Sequence, residues 1–441
     1  MPRLLEMRAR AGRSQKTDKE VGELVSNMRK IALFAAAAGL AAGLAASASA
    51  QPAGAPQGAA PPAGAPPAAA APRAGGGNRN ALPPQDEAAL RAKHPELFVL
   101  APVSHSYKPA RTAWGDPDLR GMWPTDSYGG LFLERPKTMG DRVWLTDEEF
   151  KVVDARMQAS RDAPAKETKS GKLGMGNWVE MTGAGRRTSL LVDPKDGRLP
   201  PLTPEGERLN KLGRSSWMDV KGQPFDWVTD FDSWDRCVSR GFPASMLPFH
   251  YNNGLQILQT PGYVIVNLEM IHDTRIIPLD GRPTRPGNTD WMGQSRGHWE
   301  GTTLVVETDH IREGAAPINY ATNGAPFGNT IPMTPQAHVT ERFTPTGPNT
   351  IDYQMTYSDP AIWTAPFTVR ADLTRNEKYK FYEYACHEGD EQVRNYIITS
   401  RIKRAKEKAA SVQKAAEAAS AAAPAAAVVP AAPAQAVHKH S

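Results

Sequence analysis

From Leu255 onward, apolar and polar residues alternate. In Tyr263–Met270, Val264, Val266, Leu268 and Met270 fall on one side of an extended chain, and Tyr263, Ile265, Asn267 and Glu269 on the other. Thr350–Ser358 repeats the pattern, with Ile351, Tyr353, Met355 and Tyr357 opposed to Thr350, Asp352, Gln354 and Thr356. A period of two with one dry side predicts strands that bury a single face. Runs of this kind occupy Leu255–Thr260, Tyr263–Met270, Thr274–Leu279, Ser295–Trp299, Thr303–Asp309, His338–Thr344, Thr350–Ser358, Thr368–Thr374 and Tyr379–Cys386. Turn residues separate them, among them Pro261-Gly262, Asp280-Gly281 and Glu300-Gly301-Thr302. No helical crossover long enough for parallel pairing intervenes. The expected fold is mainly β, an antiparallel barrel or sandwich over residues 251–399. The mixed faces have two uses open to them: to meet solvent, or to line a polar cavity.

Upstream, over residues 81–250, the pattern is helical and irregular. Asp86–Lys93 reads as a short helix, with acidic residues at its positive end. Trp144–Met157 reads as a longer one, because Thr146 and Glu149 stand in the capping-box spacing. Pro204–Leu212 follows Thr203 as its cap, with Pro204 at the first helical position. This helix-containing portion is expected to pack on the β domain.

The two ends of the chain differ from the middle. Met28–Ala50 has the parts of a secretory signal: a positive head, the apolar run Ile31–Ala46, and the small-residue cleavage pattern Ala48-Ser49-Ala50. The mature chain is expected to begin at Gln51, with the hydrophilic residues 1–27 lying ahead of the true start. Residues 51–80 are mostly Ala, Pro and Gly and read as a mobile linker. Within residues 400–441, Ile402–Ser420 reads as helix and Ala421–Ser441 as a disordered Ala/Pro tail. His438 and His440 belong to that tail. Export implies a periplasmic or secreted protein with no membrane span after cleavage. In that oxidising setting Cys237 and Cys386, the two cysteines of the chain, are expected to be bridged.

Charge then excludes a partner class. Of the net +5, residues 1–50, 51–80 and 400–441 carry +4, +2 and +5, which leaves Ala81–Thr399 at −6. An acidic folded part argues against nucleic acid despite the basic total.

The candidate chemistry is scattered. Glu269, His272 and Arg275 cluster at a strand end, where a carboxylate can orient an imidazole and an arginine can stabilise an anion. Their odd spacing requires the chain to bend after Met270. His298 and Glu300 are two apart and share a face of a regular strand. His338, His387 and Glu388 complete the acid–base pool. Trp291 and Trp299 are the candidate ligand-binding aromatics, since both lie in the turn-rich part between strands. Ala81–Thr399 holds no local zinc-ligand spacing, and the chain holds no phosphate-binding loop or dinucleotide fingerprint. No cofactor or metal is expected.

Several stretches carry a family likeness. They include Glu269-Met270-Ile271-His272-Asp273 with Arg275, and Leu279-Asp280-Gly281-Arg282-Pro283. Trp299-Glu300-Gly301 with Thr303–Thr308, and Glu383–Glu388, are two more, and Asp116–Trp123 and Leu199–Gly206 extend the match upstream. On these residues the chain resembles a large family of exported bacterial proteins. The resemblance implies no activity and carries no catalytic residues across. Gly121-Met122-Trp123 and Gly297-His298-Trp299 also look like the Gly-x-Trp entry of lipocalin-type barrels, which implies a calycin-like fold.

Two functions follow. One is a small-molecule binder that holds an apolar, aromatic or glycosidic ligand in a β-barrel pocket. The other is a lyase or hydrolase that uses histidine and carboxylate acid–base chemistry. Contact with the cell envelope through the Ala/Pro ends is a further partner reading.

Overall fold

The structure is a computed structural model that describes residues 82–83, 85–128, 131–171, 183–212, 225–249, 251–313, 333–388 and 391–422. The chain divides into two units, 1–79 and 80–441, and every described residue belongs to the second. The expected signal, the linker and the last part of the tail lie outside the described residues. Among the described residues, no helix is long and apolar enough to cross a membrane.

The chain enters through helix α1, Glu87–Lys93, whose Asp86 side chain accepts from the Ala88 and Ala89 amides at 3.1 and 3.0 Å. Strand β1, Gly121–Met122, and helix α2, Asp147–Ser170, follow. The capping box is present: Thr146 Oγ1 accepts from the Glu149 amide at 3.2 Å, and the Glu149 carboxylate accepts from the Thr146 amide at 2.9 Å. Helix α2 starts at Asp147 rather than Trp144, because Trp144 is held in a bridge to Arg187. Strand β2, Leu191–Asp193, leads to helix α3, Pro204–Leu212, capped by Thr203 as the sequence predicts.

The alternating half then forms β3, Leu255–Thr260; β4, Tyr263–Leu268; β5, Thr274–Pro278; β6, Gln294–Glu300; β7, Thr303–Asp309; β8, His338–Gly347; β9, Thr350–Ser358; and β10, Phe367–Thr374. They build two antiparallel sheets, one in the order β1-β3-β4-β5 and the other β2-β10-β9-β8-β7-β6. One core lies between them. Leu255, Ile257, Val264, Val266 and Ile277 come from the smaller sheet, and Val306, Val339, Phe343, Met355 and Val369 from the larger. The apolar faces read from alternation are the ones that meet.

The barrel expectation is corrected on one point: the wall does not close. Among the described residues no ladder joins β5 to β6 or β10 to β1. At the first border the strands meet through side chains. Gly297 of β6 lies so close to β5 that a Cβ there would stand 2.9 Å from Ile277 Cγ2. At the second, the chain just after β10 bonds to the β1 segment: the Asn376 amide donates to the Met122 carbonyl at 2.9 Å, and Arg375 Nη2 donates to the Arg120 carbonyl.

Three other expectations change. Strand β4 ends at Leu268, because Ile271 and His272 take left-handed backbone (φ 59° and 56°) and turn the chain. Tyr379–Cys386 is no strand. Its donors go to the Glu269 carboxylate instead of a ladder, and its end is fixed by the Cys237–Cys386 disulfide, which is present as expected. The C-terminal helix α4, Gln392–Ala422, begins ten residues before Ile402. Its first turns have a body to pack on: Tyr396 meets Phe225 and Phe231 edge-on at 5.7 and 6.2 Å.

Candidate functional site

The acid–base cluster at the β4–β5 connection is not assembled. Glu269 is buried and accepts from Asn252 Nδ2 (3.2 Å), the Gly254 amide (3.0 Å), Tyr379 Oη (2.6 Å) and the Tyr382 amide (2.6 Å). With those donors fixed, Glu269 is a clamp between β3 and the 379–382 segment. His272 turns outward and is exposed. Arg275 points the opposite way, into the core, where Nη1 donates to Glu341 Oε1 at 3.0 Å and Nη2 pairs with Oε2. Ser295 and Thr308 also accept from Arg275, Tyr353 Oη donates to Glu341 at 2.9 Å, and the guanidinium lies 4.1 Å from the Phe242 ring centre. This polar knot joins the two sheets across their shared interior.

The remaining imidazoles also stay apart. His298 and Glu300 do share a face, as their spacing predicts, with Nε2 3.3 Å from Oε1, and Arg342 joins Glu300 at 2.5 Å. His338 pairs with Glu307 at 2.7 Å. Both sets lie exposed on the outer face of the larger sheet. His387 and Glu388 lie exposed in the turn after Cys386. Thus His272, His298, His338 and His387 do not point into one space. Trp299 sits in the row Trp299–Leu304–Phe343–Tyr353 on the inner face and packs against the core. Trp291 is partly buried, with the guanidiniums of Arg236 and Arg312 5.6 and 5.2 Å from its ring centre. Neither tryptophan lines the recesses described next. Among the described residues no group of three histidine, cysteine or acidic side chains is placed to hold a metal.

A recess lies instead at the edge of the larger sheet. It encloses about 310 Å³ between residues 98–100, the 135–143 stretch and strand β2. Its outer wall is fixed by backbone bonds: the Val143 and Trp144 amides donate to the Leu97 carbonyl at 2.9 and 3.0 Å. Trp144 Nε1 donates to the Val99 carbonyl at 2.9 Å, and Arg370 Nη1 to the Ala101 carbonyl at 2.7 Å. Phe98, Val99 and Leu191 supply apolar lining; Arg135, Arg187 and Lys195 supply charge. Arg135 is buried, and burial lowers its pKa from the usual arginine value, a shift that Asp141 and Asp196 oppose and Arg142 reinforces. Gly197 makes room for it: φ there is 66°, and a Cβ would stand 2.9 Å from Arg135 Cζ.

Comparison with known proteins returns no match. No family model fits the chain, and no curated protein or solved structure is similar to it. The recess therefore stands on its geometry. A second one, of about 210 Å³, lies under helix α2 among Leu131, Met139, Val153 and Met157 and shares Arg187 with the first. The sequence reading missed both. Their walls come from segments far apart in the chain, with no motif among them, and a buried arginine looks like an exposed one until the fold is known.

Proposed function

We propose that the protein is an exported small-molecule binder whose ligand occupies the recess beside β2. The site moves from the barrel interior, which the core side chains fill, to the rim where the N-terminal segment covers the sheet edge. The observation that carries this reading is the recess itself. Its 310 Å³ falls within the roughly 300–1,000 Å³ of ligand pockets, and its lining pairs apolar walls with a few fixed polar groups. The acid–base enzyme reading has less support, since the imidazoles of its pool lie apart. An extracytoplasmic location is supported by the disulfide. We also read the two sheets as an opened calycin-like wrap. The approach of Arg375 to the Trp123 ring, 5.0 Å to its centre, supports this by drawing the exit of β10 toward β1.

The test is a titration of the full-length protein with the neutral fluorescent probe N-phenyl-1-naphthylamine. Saturable enhancement is expected, and Val192→Trp, which fills the recess from β2, should abolish it at unchanged melting temperature. Equal binding by a folded Val192→Trp variant would place the probe elsewhere and sink the assignment.

A further inference from the structure

The head group of the ligand can be read from the charges around the same recess, an inference that rests on the binding function proposed above. Arg135 is 2% exposed. A guanidinium carries five N–H donors. Nε donates to Thr188 Oγ1 at 2.9 Å, and Nη1 to the Lys195 and Gly140 carbonyls at 2.7 and 3.5 Å. Among the described residues, Nη2 makes no hydrogen bond, and Arg135 has no carboxylate within ion-pair distance. Asp141, the carboxylate in the lining, is already paired with Arg91. Lys195, exposed, adds a second cation to the lining, and Arg187, which lies near Asp372, a third.

A buried cation whose direct hydrogen bonds all go to neutral oxygens, with Asp141 and Asp196 acting only from beyond ion-pair distance, is costly, and an arriving anion offsets that cost. An oxyanion would accept a charge-assisted hydrogen bond from Nη2, which is stronger than a neutral acceptor makes. The apolar walls ask for more than an inorganic ion, because phosphate alone would leave Phe98 and Val99 wet. We infer that the recess takes an organic acid, its anionic head on Arg135 and Lys195 and its apolar body against Phe98 and Val99.

Displacement of the bound naphthylamine probe tests this. Decanoate or benzoate should displace it at least tenfold more tightly than decanol or benzyl alcohol, and inorganic phosphate should not displace it. Arg135→Met should remove the preference for the acid over the alcohol. If that variant does not fold, Lys195→Met on the exposed rim should reduce the preference severalfold, as should raised salt. Equal displacement by acid and alcohol would overturn the inference while leaving the binding function standing. Displacement by phosphate as strong as by decanoate would also overturn it. Absence of probe binding would remove the binding function itself.

Discussion

At the residue scale, buried and half-buried polar groups decide more than the exposed histidines do. Asp273 is the clearest case. Burial, aided by the charge of Asp290, raises its carboxyl to about 6, against the opposing pull of Ser239 Oγ, the Arg240 amide and His272. A raised carboxyl binds its proton more tightly in the folded chain than in the unfolded one. Its contribution to stability is therefore full below pH 3.8, the unfolded value, and is lost as the pH rises through 6. The ceiling on that loss is about 3 kcal/mol. Asp273→Asn, which keeps an acceptor for Ser239, should melt higher than the wild type at pH 8, and the gap should close at pH 4. A gap independent of pH would mean that the carboxyl does not titrate there. Asp273 was within reach of the sequence, since it stands between His272 and Arg275. Its burial was not, because the left-handed turn at Ile271–His272 sends His272 out and Arg275 in.

At the element scale, the local signals hold where they need no partner. Thr146 and Glu149 start α2 by bonding each other's amides, a pattern that spacing alone reveals. Thr146→Ala should lower stability by about 1 kcal/mol in chemical denaturation, since one amide loses its acceptor. Glu149 contributes more than a cap. Its carboxylate also accepts from Arg142 Nη1 and Nη2 at 2.6 and 2.8 Å, in a site closed to solvent. Strands show the same division. β3, β7 and β9 have the bounds that alternation predicts. Tyr379–Cys386 alternates less cleanly and lies beyond the sheet, so a clamp and a disulfide fix its course.

At the scale of the molecule, two cross-links hold distant parts together. The disulfide joins residues 149 apart. Loop-entropy models put the stabilisation from so long a loop at up to roughly 5 kcal/mol. The Cys237→Ser/Cys386→Ser double variant should lose about 2–5 kcal/mol in denaturant titrations, and denatured, unreduced wild type should show no free thiol. The other cross-link is the Arg275–Glu341 pair between the sheets. Either single change, Arg275→Met or Glu341→Leu, strands a buried charge and should cost about 3–5 kcal/mol. The double change removes both charges and should recover most of that loss, which a double-mutant cycle would measure.

Residue pattern alone determined the antiparallel strands, the side of each that stays dry, the helix caps and the availability of two cysteines to pair. These are local or near-local properties: a two-residue period, a three-residue cap spacing, an even thiol count. Tertiary structure alone decided the unclosed wall, the separation of the histidines, the inward turn of Arg275 and the recess around Arg135. Each depends on which remote segment covers a given surface, and a side chain's burial and charge partners follow from that covering rather than from its neighbours in the chain.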